Sequence, residues 1–249
     1  MLIGGLIALF SLLLGSDGMP FLIPKEEKAI TKVIVEKDTR KKLKVLFKEV
    51  GVREKAYKKD RKKFLKLLDK ITKEQNSTPE DFAKIGREFQ QKNADVYSFM
   101  VNIRIKLGSY VTDEEWAEII EIGKKEFYKA DKDYEKAWPK FEKRINKLNA
   151  KVRLGMSDSK SANLTQNKLT AFGLLTLKNA KLLNTYNVYE NDVYNDIHSS
   201  LQELEAVSDE LLELRSEVFD EYVEIHQFIA SNCSPKEWQK VVKHLNKLF

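Results

Sequence analysis

Two sets of apolar residues recur at every seventh position, and nothing else in the chain constrains the fold as strongly. Leu43, Val50, Tyr57, Phe64 and Ile71 form the first set; Ile120, Phe127, Tyr134, Phe141 and Leu148 form the second. Seven residues are two helical turns, so each set returns to one face of a long helix and asks for a partner along that face. Leu46, Phe47, Leu67 and Leu68 widen the first stripe at its two ends, and Trp138 joins the second. Only ten glycines and five prolines interrupt 249 residues. That scarcity favours long helices over sandwiches or barrels.

The helix ends are written in local chemistry. Pro24 suits the start of a first helix over roughly 25–75. Thr78-Pro79-Glu80-Asp81 reads as a second start, with a cap, a first-turn proline and acids facing the positive end of the helix dipole. Gly108 is its stop. Thr112 and Glu115 form a capping box, and Val111 and Trp116 are the two halves of a hydrophobic staple. Pro139 is expected to kink or divide that third helix. Residues 154–162 read as a linker. Beyond it, helices are expected over about 164–197 and 201–231. A last one opens at Ser234-Pro235-Lys236-Glu237-Trp238.

A shift of 122 residues aligns 77–127 on 199–249 without gaps. Identities include Val96/Val218, Val101/Val223, Ile103/Ile225, Glu115/Glu237 and Trp116/Trp238, and the cap positions agree in type, Thr78 with Ser200 and Thr112 with Ser234. The expected fold is therefore all-α: an elongated helical bundle with an internal duplication of a three-helix unit, preceded by a short hydrophobic anchor. In that organisation 1–24 is the anchor, 25–153 the first repeat, 154–162 the linker and 163–249 the second repeat. One amphipathic unit cannot bury its own apolar face, so the two are expected to pack together.

Charge separates the halves. Residues 1–155 carry 35 Lys+Arg against 24 Asp+Glu, and residues 156–249 carry 9 against 14, so a net +6 resolves into +11 and −5. The basic first helix is expected to lie against the acidic stretch of Glu203, Glu205, Asp209, Glu210, Glu213 and Glu217.

Leu2 to Leu14 is apolar apart from Gly4, Gly5 and Ser11. Thirteen helical residues reach about 20 Å, short of a hydrocarbon core of roughly 30 Å. A retained anchor is the reading adopted, with Leu6, Phe10, Leu13, Phe21 and Leu22 facing lipid. A cleaved secretory segment and a true start at Met19 are the alternatives. The lysines that follow argue for the cytoplasmic side. Extreme N-terminal anchors more often send the chain outward, and the expectation adopted leans to the extracytoplasmic side.

Catalytic signatures are missing. One cysteine excludes a disulfide framework or a cysteine zinc site, and three scattered histidines form no metal motif. No phosphate-binding glycine loop and no GxSxG elbow is present. No catalytic, cofactor-binding or metal residue is therefore assigned, no small-molecule substrate is implied, and an enzyme is not expected. The repeated pairs Glu115-Trp116 and Glu237-Trp238 are the candidate partner-binding or structural anchors. The capping box accounts for their spacing, which makes the glutamates caps rather than acid/base groups. Cys233 reads as a small buried hydrophobe. The lysine face of 25–75 is a solvated surface or a contact for anionic lipid. Nucleic acid is disfavoured, because few aromatics are interleaved with the lysines.

The openings Val111-Thr112-Asp113-Glu114-Glu115 and Cys233-Ser234-Pro235-Lys236-Glu237 resemble the paired L-T-x-x-Q openings of the Spy/CpxP periplasmic chaperones, with Glu in place of Gln. The resemblance implies an all-helical holdase that keeps unfolded clients on a basic face. Two functions are thus expected. The first is a membrane-anchored structural or adaptor protein, an accessory subunit with a protein partner in a membrane complex. The alternative is a periplasmic ATP-independent holdase chaperone.

Overall fold

In the computed structural model, residues 30, 32–185 and 191–248 are described. Among them the chain is all-helical, without strands. The helices are α1 (Lys37–Lys73), α2 (Pro79–Gly108), α3 (Asp113–Gly155), α4 (Ser159–Thr185), the single turn α5 (Asp192–Asn195), α6 (Leu201–Ser231) and α7 (Pro235–Leu248). The candidate lipid-facing residues Leu6, Phe10, Leu13, Phe21 and Leu22 lie outside the described residues.

The caps stand where the sequence put them. Thr78, Thr112 and Ser200 each accept from the amide three residues on, and the acid at that position returns a bond to the cap amide. Four expectations about boundaries are corrected. In place of one helix over 164–197 stand α4, from Ser159 to Thr185, and the separate turn α5, which Asn191 caps by accepting from Tyr194 N. The first long helix begins at Lys37 rather than near residue 25, because the Glu36 carboxylate accepts from the Asp38 and Thr39 amides and fixes the start there. The linker shrinks from 154–162 to Met156–Asp158, since α3 runs to Gly155 and Asp158 accepts from Ser161 N at 2.7 Å to open α4. Pro139 does not divide α3, which passes through it as one helix. A proline removes a single ladder bond, and a long helix held by packing on both sides of that bond absorbs the loss.

α2 and α6 pack on each other at the centre of the bundle. They meet tightly at Gly86, where an added Cβ would stand 2.6 Å from Phe219 Cε1, so only glycine fits there without a shift. α1 flanks α2, with Phe64 stacked on Phe89 at 4.3 Å and Tyr57 OH donating to Asn93 Oδ1 at 3.0 Å. α4 flanks α6, where Asn179 Nδ2 donates to Leu214 O and Glu217 Oε2. α3 packs on α4 and α7. α1 packs chiefly on α2 and also on α7, and it meets α6 through the Phe64–Phe219 ring contact and the hydrogen bond between Thr72 and Tyr222. Apolar burial sets that order, since exposed ion pairs contribute only about 0–1 kcal/mol each.

Candidate functional site

Each of the two glutamate-tryptophan pairs closes a corner of the bundle. At the first corner, Thr112 Oγ1 accepts from Glu115 N at 3.2 Å, and Glu115 Oε2 accepts from Thr112 N at 3.0 Å. This box aims the first turn of α3 inward, leaving Trp116 4% exposed beside buried Val111. Trp116 Nε1 donates to Asn195 O at 2.6 Å. The Arg104 guanidinium lies 4.3 Å from the centre of the Trp116 ring, and its Nη2 donates to Tyr194 O and Asp196 O. The carbonyls that end α5 are thereby satisfied by side chains from α2 and α3.

The second corner is built the same way from other residues. Ser234 Oγ accepts from Glu237 N, and Glu237 Oε2 accepts from Ser234 N at 2.9 Å. Trp238 is also 4% exposed, and Cys233 is buried in the staple position. Trp238 Nε1 donates to Lys73 O at 3.0 Å, at the end of α1. His226 meets the Trp238 ring edge-on at 5.2 Å and donates from Nε2 to Thr72 O at 3.1 Å. Thr72 Oγ1 and Tyr222 OH share a 2.6 Å hydrogen bond beside it.

The corners correspond at the offset of 122 read from the sequence. Trp116 reaches Asn195 and Trp238 reaches Lys73; Arg104 reaches the carbonyl of Tyr194 and His226 that of Thr72. Ser77 Oγ donates to Ile71 O at 2.7 Å, and Ser199 Oγ to Val193 O at 2.6 Å. The contacts are reciprocal: a tryptophan from the first half seals a helix end in the second half, and the other way round.

The electrostatics follow from these positions. Burial lowers the Arg104 guanidinium to about 10, with Asp196 partly offsetting it, so Arg104 stays charged at neutral pH. Burial lowers His226 below its ordinary 6.5. A carbonyl can only accept, so His226 Nε2 carries the proton toward Thr72, and the neutral ring is the form this site favours. The Glu237 carboxyl falls to about 2, chiefly because Ser157 and then Ser234 donate to it. Through Ser157 it also ties the α3–α4 connection to α7. Burial pushes the Cys233 thiol up to about 11, which removes the thiolate that a reactive cysteine needs.

The arrangement thus engages Glu115 and Glu237 as caps and buries Trp116 and Trp238 as seals. Sequence reasoning missed Arg104 and His226. They stand 122 residues apart, but an arginine opposite a histidine gives no identity to find. Among the described residues, no group of three His, Cys, Asp or Glu is placed to hold a metal ion, and no helix is long and apolar enough to cross a membrane. Comparison with families of known proteins, with curated proteins and with solved structures finds no match to this chain.

Proposed function

We propose that this chain is a membrane-anchored helical adaptor, an accessory subunit of a membrane protein complex, built by internal duplication of a three-helix unit. The observation that carries the reading is the reciprocal sealing of the two corners. It supports a duplication because the helix ends correspond at the same offset: Lys73 with Asn195, Pro79 with Leu201, Asp113 with Pro235. It supports a scaffold because the residues an enzyme would need are spent on architecture, in capping boxes and in seals between the halves. Each half depends on the other to satisfy a helix end, which suits a stiff spacer that presents its outer surface to a partner. On this reading 1–24 tethers the bundle through Leu6, Phe10, Leu13, Phe21 and Leu22, and 25–153 and 163–249 are the two copies.

The intact protein, extracted in mild detergent at its native level, is expected to co-purify with a protein partner. Recovery as a free monomer would sink the adaptor reading. Leu154 is 85% exposed at the end of α3. A Leu154→Cys substitution in a Cys233→Ala background is expected to be labelled by an impermeant reagent in intact cells, which tests the extracytoplasmic placement. The holdase alternative predicts that the full chain suppresses client aggregation at low salt; no suppression at a severalfold excess removes it.

A further inference from the structure

The solvent side of α1 carries a long cationic stripe. Lys41, Val45, Lys48, Val52, Lys55, Lys59, Lys62, Lys66, Lys70 and Lys73 succeed one another at steps of three or four, the spacing that stacks side chains on one helix face, and all ten are exposed. The stripe runs about 48 Å at 1.5 Å per residue. It contains no acid. The acidic residues Glu54, Asp60 and Asp69 stand on its half-buried flanks, where they pair with Lys58, Lys92 and Lys73, and Glu49 is exposed at its edge beside Lys48. Lys41 pairs with Asp38 at the start of the helix. Among the described residues, Lys48, Lys55, Lys59, Lys62, Lys66 and Lys70 have no ion-pair partner.

Like charges at three- and four-residue spacing repel, and along the middle of the stripe the single exposed acid Glu49 stands against five lysines with no ion pair to any of them among the described residues. We infer that the counter-charge is external, and that α1 lies along a bilayer surface bearing anionic headgroups. The inference rests on the anchored reading, because the apolar run of Leu2 to Ile23 precedes α1 closely in the sequence. Two features favour a bilayer over a nucleic acid. The stripe has no arginine and no aromatic, so it offers neither a bidentate phosphate fork nor a stacking platform. It does expose Val45 at 59% and Val52 at 65%, in line with the lysines. Valines are idle against a phosphate backbone. At a membrane they enter the interface while lysine stems lie along it with their ammonium groups at the headgroups.

The test dilutes the full chain from mild detergent into phosphatidylcholine vesicles with and without phosphatidylglycerol. Binding is read by flotation at low and high salt. The expected result is an excess of binding to the anionic vesicles that high salt removes. Joint substitution of Lys48→Glu, Lys55→Glu, Lys59→Glu, Lys62→Glu and Lys66→Glu is expected to cut that excess by on the order of a hundredfold or more. All five side chains are exposed, so the thermal melt should be kept. A Lys→Gln set at the same positions should give a smaller loss in the same direction. No anionic excess in the parent chain, an excess that survives the glutamate substitutions, or tighter binding to duplex DNA in direct competition would each overturn the proposal. Failure of the anchor reads out separately: binding to neutral vesicles vanishes while the anionic excess persists.

Discussion

The corner at Trp116 is held by a buried cation, and the corner at Trp238 by a neutral imidazole. Arg104 and His226 occupy corresponding places, each between a tryptophan and a backbone carbonyl near the end of a neighbouring helix. Arg104 reaches two carbonyls and faces the ring as a cation. His226 reaches one carbonyl and sits among Phe82, Tyr222 and Trp238. The difference teaches that this geometry needs a planar donor of the right reach and does not need a particular charge. A backbone carbonyl accepts from either group, more strongly from the charged one, and aromatic surface tolerates both a cation and a ring edge.

The largest expected effect comes from removing a seal. Trp116→Ala and Trp238→Ala should each lose about 3–5 kcal/mol in urea unfolding, with Trp116→Ala at the upper end because Arg104 loses its ring. A loss below about 1 kcal/mol at either site would mean that the corners are decorative.

Next comes the cation. Arg104→Met keeps most of the apolar stem but strips the charged donor from Tyr194 O and Asp196 O, so about 2–3 kcal/mol should be lost. The corresponding His226→Met should cost less, because one neutral bond is removed. An equal cost at the two sites would break the comparison.

The caps follow. Thr112→Ala and Ser234→Ala should each cost about 1 kcal/mol. The Ser234 variant should retain its hold on the α3–α4 connection, since Glu237 still accepts from Ser157.

The pH response separates the corners most cleanly, although its size is the smallest of these effects. The folded state holds His226 below its ordinary 6.5, so the unfolded chain binds the proton more readily. The contribution of the neutral ring is fully present above about 6.5 and is lost as pH falls from there through the lower folded value. Arg104, at about 10, contributes no change in this window. The unfolding midpoint should therefore drop on acidification below about pH 6.5. His226→Gln should flatten that part of the profile, and Arg104→Gln should leave its slope intact. An unchanged slope in the His226 variant would refute this assignment.

Much of the helical framework was legible in the sequence. Thr78, Thr112, Ser200 and Ser234 mark helix starts, because a cap is a hydrogen bond between residues three apart and needs nothing distant. Trp116 and Trp238 were recognisable as staple residues for the same reason. Pro139 does not divide α3, since the one ladder bond it removes is a local cost that a long helix absorbs. The 154–162 stretch looked like a linker from its small and polar residues. Only Met156–Asp158 breaks the helices, because Asp158 caps the next helix at once.

The sequence by itself determined the helical class, the caps and the two tryptophans, all of which rest on patterns within a few turns. The tertiary structure alone decided what each tryptophan seals. The acceptors are the backbone carbonyls of Lys73 and Asn195, and a carbonyl carries no side-chain identity from which a partner could be read. It likewise decided that Arg104 and His226 serve one purpose, because two unlike side chains become equivalent only once the fold sets each between a ring and a helix end.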